Sequence, residues 1–240
     1  MEKDVFRRSF SDLFVKINPN KKILIFSDCH HTDKFDQNRF LKFEKIIKSA
    51  DVVVINGDFW ADSHISFEHF VNSSWNKLFP LLKQRETYYI FGNHDMPLHA
   101  DERIYNFCTK AAFRLKIQTG KLTLHIEHGH LLSSPLIKWM YKTFEHSPRL
   151  LHFVVFPISI FEDFASFLLT RFNIRVFQSV NNNYKRKRLS VSTKDEYFIM
   201  GHTHTPELDL TNRYVNTGFT HGKMFSYVEV YENKIKLLNI

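Results

Sequence analysis

The chain reads as an α+β protein, on three observations. Five short apolar runs each stop at a cluster of Gly, Asp, His or Asn: KKILIFSDCH (21–30), DVVVINGDFW (51–60), TYYIFGNHD (87–95), KLTLHIEHGH (121–130) and EYFIMGHTH (196–204). Their length and their β-branched and aromatic content are those of buried strands. Helical spacing separates the early runs, and the C-terminal stretch alternates apolar with polar residues.

Taken in order, RFLKFEKIIKS (39–49) follows the first run as a helical pattern. SFEHFVNSSWNKLFPLLK (66–83) follows the second, with Phe67, Phe70, Val71, Trp75, Leu78 and Leu82 at helical spacing. The last stretch, RYVNTGFTHGKMFSYVEVYENKIKLLNI (213–240), reads as antiparallel strands with the dipeptide Glu232-Asn233 at a hairpin turn. Residues 131–195 break the rhythm. They are helical in pattern, rich in Phe, and end in the basic run Lys185-Arg186-Lys187-Arg188. Lying between two polar clusters, this segment is expected to cap the site; the alternative is a helical layer packed on the core. The whole chain, 1–240, is read as one domain carrying this insertion at 131–195.

Composition narrows the function classes. At 43% hydrophobic and 24% charged, the chain can bury a core, and disorder is not the expectation. A net charge of +8 favours anionic partners: a phosphorylated small molecule, nucleic acid or an acidic membrane surface. Cys29 and Cys108 read as free thiols, which suits a reducing cytosol. No segment reads as a signal peptide. The most apolar stretch, 150–170, is interrupted by Pro157 and by Glu162-Asp163, so its uncharged part is too short to cross a bilayer. The chain is therefore expected in the cytoplasm, with a peripheral position on the inner membrane face as a further option.

The polar clusters carry the chemistry: Asp28-Cys29-His30, Gly57-Asp58, Gly92-Asn93-His94-Asp95, His128-Gly129-His130 and Gly201-His202-Thr203-His204. Mixed oxygen and imidazole donors suit Mn, Fe, Zn or similar divalent ions. Two ions about 3.5–4 Å apart can clamp the attacking and leaving oxygens of a phosphoryl displacement. In an extended D-x-H or H-x-H segment, alternation would put both donors on one face. A lone D-x-H or G-D reads as readily as a turn or a helix cap, whereas GNHD and GHTH are stronger signals, since His and Asn in such density rarely help a core. Five in order, each behind a strand, point to one site.

The set D-x-H, G-D, G-N-H-D, H, G-H-x-H resembles that of the calcineurin-like metallophosphoesterase superfamily, from Lys21 to the C-terminus. The resemblance implies a four-layer α/β/β/α sandwich of two mixed sheets with the site at the strand ends. It implies two divalent ions, Mn foremost, with Fe, Zn or Mg as alternatives. One ion would be held by Asp28, His30, Asp58 and His204, the other by Asp58, Asn93, His128 and His202, with Asp58 bridging. His94 would act as general acid or transition-state stabiliser, and Asp95 would orient it. His31 and Cys29 are expected to pack inward, Asp62 and His64 to be rim residues or, as the safer reading, surface polar residues, and His130 and His221 to approach the site rim.

Within the superfamily, the chain length, the helical insertion and the TGFTHG turn resemble the UDP-2,3-diacylglucosamine pyrophosphatases of lipid A synthesis. Phe153, Phe156, Ile160, Phe161, Phe164, Phe167 and Leu168 would then hold acyl chains. Ser179, Asn183 and Arg186, one helical turn apart, would meet the headgroup together with Asn93. Two positions depart from the best-known branch, which has Arg at His94 and Asp at His130. Three functions follow: a hydrolase of a lipid-linked or nucleotide-linked pyrophosphate, a hydrolase of nucleic acid or cyclic nucleotides, and a non-catalytic scaffold. The intact ligand set speaks against the third. The continuous apolar face of the insertion favours the first over the second, making nucleic acid the less favoured partner.

Overall fold

Apolar runs without polar interruption need cover on both sides, and the fold supplies it. A computed structural model describes residues 10–62, 64–132, 164, 176–190, 196–220 and 224–240. The strands are β1 (Leu13–Ile17), β2 (Ile23–Phe26), β3 (Val52–Asn56), β4 (Glu86–Ile90), β5 (Lys110–Ala112), β6 (Arg114–Thr119), β7 (Leu122–Glu127), β8 (Glu196–Met200), β9 (Glu207–Asp209), β10 (Tyr214–Asn216), β11 (Ser226–Tyr231) and β12 (Lys234–Asn239). The helices are α1 (Gln37–Lys48), α2 (Phe67–Asn72), α3 (Leu78–Lys83) and α4 (Gln178–Leu189).

Two six-stranded sheets result, ordered β12-β11-β2-β3-β4-β5 and β1-β6-β7-β8-β10-β9. In the first, β2 to β5 run parallel, and β11 is antiparallel to both of its neighbours, β2 and β12. In the second, β7, β8 and β10 are parallel neighbours. Both sheets are mixed.

Strand alternation sorts the core into layers. Ile23, Ile25, Val52 and Val54 face the second sheet, meeting Leu115, Leu124, Ile126 and Ile199. Leu24, Phe26, Val53 and Ile55 turn outward onto α1, α2 and α3, against Phe43, Phe70, Trp75 and Leu78. On the far side of the second sheet Phe198, Met200 and Tyr214 pack with Tyr184 of α4. Helices, sheet, sheet and helix make the expected four-layer α+β sandwich. Among the described residues no helix is long and apolar enough to cross a membrane.

The helix expected over 66–83 is broken. Ser73 is extended, with ψ 169°, and its hydroxyl accepts from the Trp75 amide to start a 3₁₀ turn at Ser74–Lys77 before α3. A serine that can bond its own neighbouring backbone competes with helix continuation there. The C-terminal stretch is not antiparallel throughout: Tyr214–Asn216 runs parallel to β8 in the second sheet. The hairpin between β11 and β12 turns at Glu232 and Asn233, both at positive φ (49° and 60°), as a two-residue primed turn requires.

Candidate metal centre

The ends of β2, β3, β4, β7 and β8 deliver all five polar clusters to one edge of the sandwich. Asp28, Asp58, Asn93, His94, His128 and His204 are buried there, and His30 and His202 are half-buried. Three sets of donor atoms converge, each within 4.8 Å of one another: Asp28, His30 and His204; Asp58, His128 and His202; and His30, Asp58 and His94.

The convergence does not come from extended alternation. Asp28, His30, Asp58, His202 and His204 all have left-handed backbones, with φ of 53°, 46°, 54°, 65° and 51°. Each such non-glycine residue costs about 1–3 kcal/mol and persists only where its surroundings fix it. The loops fix one another. The amides of Cys29 and His30 both donate to the Asp58 carbonyl (2.8 and 3.0 Å), and the Gly201 amide donates to the His128 carbonyl (3.0 Å). The His202 amide donates to the Asp28 carboxylate at 3.1 Å. Glycine is needed where a carboxylate lies against the chain: a Cβ on Gly201 would fall 2.5 Å from Asp28 Oδ2, and one on Gly92 would collide with Asp58.

Within the cluster, His204 Nε2 lies 3.2 Å from Asp28 Oδ1 and 3.2 Å from His30 Nε2. His128 Nε2 lies 3.1 Å from Asp58 Oδ2 and 3.1 Å from Asn93 Oδ1. His128 Nδ1 faces the Asn56 carbonyl at 2.8 Å, so its proton belongs there and Nε2 is left to a metal. Burial works against charge on His128, yet Asp58 and Asp28 beside it push its pKa up to about 10. For Asp58 burial is likewise outweighed, by His128 and His94, and its pKa falls well below the usual carboxylate value. Nitrogen and oxygen donors in these three linked groups fit divalent ions. Six of the seven ligands expected from the sequence lie in them, Asn93 adjoins through His128, and His94 is a further donor.

His94 stands at the edge of the cluster, its ring 4.9 Å from that of His30 and its amide donating to Asp58 Oδ1 at 2.9 Å. The carboxylate facing it is Asp62, with Oδ1 3.7 Å from His94 Nδ1 and Oδ2 3.3 Å from His99 Nε2. Asp95, expected to orient His94, instead accepts from the amides of Phe59 and Gly92 (both 2.6 Å) and from the Tyr89 hydroxyl. It ties the loops after β3 and β4 together. Asp62, read as a surface residue, belongs to the site. His130 is buried beside His128, ring centres 5.6 Å apart, with neither ring nitrogen hydrogen-bonded among the described residues.

Other expectations resolve along α4. Ser179, Asn183 and Arg186 are exposed, on the face opposite Asn181 and Tyr184. It is Asn181 and Tyr184 that meet the metal loop, Tyr184 stacking on His202 at 6.0 Å and 7°. The basic run is not a free patch. Lys185 pairs with Glu207 (2.8 Å) and Asp209, Arg188 with Glu127, and Lys187 donates to the Leu132 carbonyl at 3.0 Å. His31 is packed against Trp75 (3.8 Å), and Cys29 is a buried free thiol whose pKa burial pushes up to about 12. His221, and all of the proposed acyl-chain residues except the exposed Phe164, lie outside the described residues.

Over residues 21–206 the sequence matches the family described as calcineurin-like phosphoesterase. No curated protein sequence matches significantly. Similar solved structures include Yfce, a phosphoesterase from E. coli (15% identity, 91% of this chain and 99% of that one, TM-score 0.45). A conserved protein of Streptococcus pneumoniae, described as a predicted phosphoesterase, is 16% identical over 92% of this chain and 98% of its own, with TM-score 0.36. Vacuolar protein sorting 29 from Cryptosporidium parvum is 10% identical over 92% and 96%, with TM-score 0.40. At such scores these likenesses carry no weight beside the family match, which spans well over half the sequence. The chain belongs to the calcineurin-like phosphoesterase family and is a metal-dependent hydrolase of phosphoesters.

Proposed function

We propose that the enzyme uses two divalent ions, Mn foremost, to cleave a pyrophosphate or phosphodiester bond in a substrate with an apolar tail, such as the lipid-linked nucleotide sugar UDP-2,3-diacylglucosamine. The observation that carries the two-ion part is the sharing of Asp58 geometry: one carboxylate lies in reach of both the His30 group and the His128–His202 group. Bound ions supply Lewis acidity toward phosphoryl oxygens and lower the pKa of bound water. The protein does the rest. His30, His128, His202 and His204 would offer ring nitrogens, Asn93 would offer an amide oxygen, and His94 would deliver a proton to the leaving oxygen with Asp62 behind it.

Support for the apolar tail comes from composition and connectivity. The Phe-rich segment 150–170 lies within 131–195, and α4 at the end of that insertion packs on the loop bearing His202. Such a substrate would place the enzyme on the cytoplasmic face of a membrane. The electrostatic contribution to that docking is smaller than four bases would give. With Lys185 and Arg188 paired to acids, Arg186 and Lys187 remain, about 2 kcal/mol at about 1 kcal/mol per base.

One observation favours a second reading, a phosphodiesterase of cyclic nucleotides or nucleic acid. An alkoxide leaving group needs a proton, whereas a phosphate, with a second pKa of about 6, departs without one. The His94–Asp62 pair is therefore best matched to an alkoxide. A hydrolysis panel with Mn²⁺ decides: UDP-2,3-diacylglucosamine, a cyclic nucleotide, an aryl phosphodiester and single-stranded DNA. Preference for the first supports the lipid reading; cleavage of the others with the first untouched overturns it.

A further inference from the structure

A primary amide buried without partners is unfavourable, so a fully satisfied one marks a built feature. Asn181 of α4 is wholly buried and uses both ends of its side chain. Its Oδ1 accepts from the Thr203 hydroxyl (3.0 Å), the Tyr214 hydroxyl (2.7 Å) and Asn216 Nδ2 (2.9 Å). Its Nδ2 donates to Glu207 Oε2 at 2.6 Å. Because a carboxylate only accepts, Glu207 fixes which end of the amide faces which way.

The partner that matters is Thr203. It lies between the ligands His202 and His204, both of which hold left-handed backbones. Asn216 Nδ2 reaches the same loop twice, at Thr203 Oγ1 (2.9 Å) and at the Gly201 carbonyl (3.1 Å). Around this network the ligand rings themselves are covered: Tyr184 stacks on His202, and Phe177 meets His204 edge-on at 6.4 Å. One helix of the insertion thus grips the backbone between two ligands and covers the rings of both.

We propose that Asn181 is a positioning residue for the metal centre, coupling the docking of α4 to metal occupancy. With Asn181 in place, the strained loop presents His202 to the Asp58 group and His204 to the Asp28 group. Without it, the loop relaxes and both groups lose a donor. Coupling of this kind is reciprocal, so metal binding also tightens α4 on the sandwich. Outer-shell partners of metal ligands typically change affinity by about 10–100-fold. The inference rests on the metal centre described above and deepens it.

The test is Mn²⁺ binding by calorimetry, with the metal-induced rise in Tm, on the full chain. Asn181→Ala is expected to weaken binding by about 10–100-fold. Asn181→Asp keeps the acceptor but sets a carboxylate against Glu207, and is expected to weaken binding too. Asn181→Asp combined with Glu207→Gln restores a donor facing an acceptor and should recover most of the affinity. A purely structural role would let the double variant regain its metal-free Tm without regaining affinity, which overturns the proposal. In the wild type, Mn²⁺ should slow amide hydrogen exchange across 178–189; unchanged exchange overturns it as well. Wild-type affinity separates the two levels: wild-type binding with equal binding by Asn181→Ala sinks the coupling alone, and no wild-type binding sinks the metal-centre reading and the coupling with it.

Discussion

Asp62 Oδ1 stands 3.7 Å from Nδ1 of His94, while Asp95, the next residue along the chain from His94, turns its carboxylate into the loops after β3 and β4. That distance is an ion-pair distance rather than a hydrogen bond, of the kind that tightens when substrate binds. The two acids therefore have separate places, one facing the His94 ring and one tying the loops together.

Substitutions separate them. His94→Ala is expected to lower kcat by about 10²–10⁴-fold with metal content unchanged. Asp62→Asn should lower kcat less, by about 10-fold, in keeping with an outer-shell orienting group. Asp95→Asn turns an N–H group toward the amides of Phe59 and Gly92 or the Tyr89 hydroxyl, so it should cost about 1–3 kcal/mol of stability, read as a lower Tm. Loss of turnover at unchanged Tm in Asp95→Asn, with Asp62→Asn silent, would reverse the assignment.

Asp58 is the hinge of the proposed two-ion arrangement. It sits in two of the three donor groups, and its Oδ1 also holds the His94 amide. Asp58→Ala should abolish activity and bring the metal content below that of the wild type. A fully active Asp58→Ala enzyme with its complement of metal would sink the two-ion reading.

Metal binding should release protons. In the metal-free protein His128 carries its proton up to a pKa of about 10, because Asp58 and Asp28 outweigh the effect of burial. A metal takes only the neutral imidazole. At pH 7, then, binding at the Asp58–His128–His202 group displaces the His128 proton, and affinity there should rise about tenfold per pH unit until pH nears 10. Calorimetry of Mn²⁺ binding in buffers of different ionisation enthalpy counts the protons. A count of zero at pH 7 would falsify this account of His128.

The clustering of donors was legible in the sequence because metal chemistry constrains residue type. Histidine and asparagine in such density behind buried strands have few other uses, and the glycines at 92 and 201 are the places where Asp58 and Asp28 press on the chain. What stayed hidden was conformational. Nothing in D-x-H announces two left-handed residues, since any residue type can be forced there by its surroundings. Polar residues on α4 were equally ambiguous. Spacing put Ser179, Asn183 and Arg186 on one face without saying that the opposite face, with Asn181, Tyr184, Lys185 and Arg188, was the one facing protein. Strands β1 and β6, whose exposed and buried positions alternate, lie apart from the polar clusters that drew the eye to the other strands.

The division of labour within the basic run makes the membrane question answerable. Arg188 reaches Glu127, which is almost wholly buried and also pairs with Arg114. Arg188→Ser should therefore destabilise the fold by about 1–3 kcal/mol, the loss of hydrogen bonds to a charged buried group. A variant with all four bases replaced would confuse unfolding with loss of membrane affinity. Arg186→Ser with Lys187→Ser avoids this, since both side chains are exposed and, among the described residues, what Lys187 gives up is a bond to the Leu132 carbonyl and a contact over the Tyr184 ring. If the enzyme meets its substrate at an anionic bilayer, that double variant should bind anionic vesicles roughly 30-fold more weakly, the equivalent of about 2 kcal/mol for two bases, with Tm unchanged. The apolar contribution is separate: each methylene buried from an acyl chain adds about 0.8 kcal/mol, so KM should fall steeply with chain length. Co-sedimentation and kcat/KM against acyl length together decide. If neither vesicle charge nor chain length matters, the tail is not recognised and the alkoxide-leaving phosphodiester suited to His94 and Asp62 becomes the substrate.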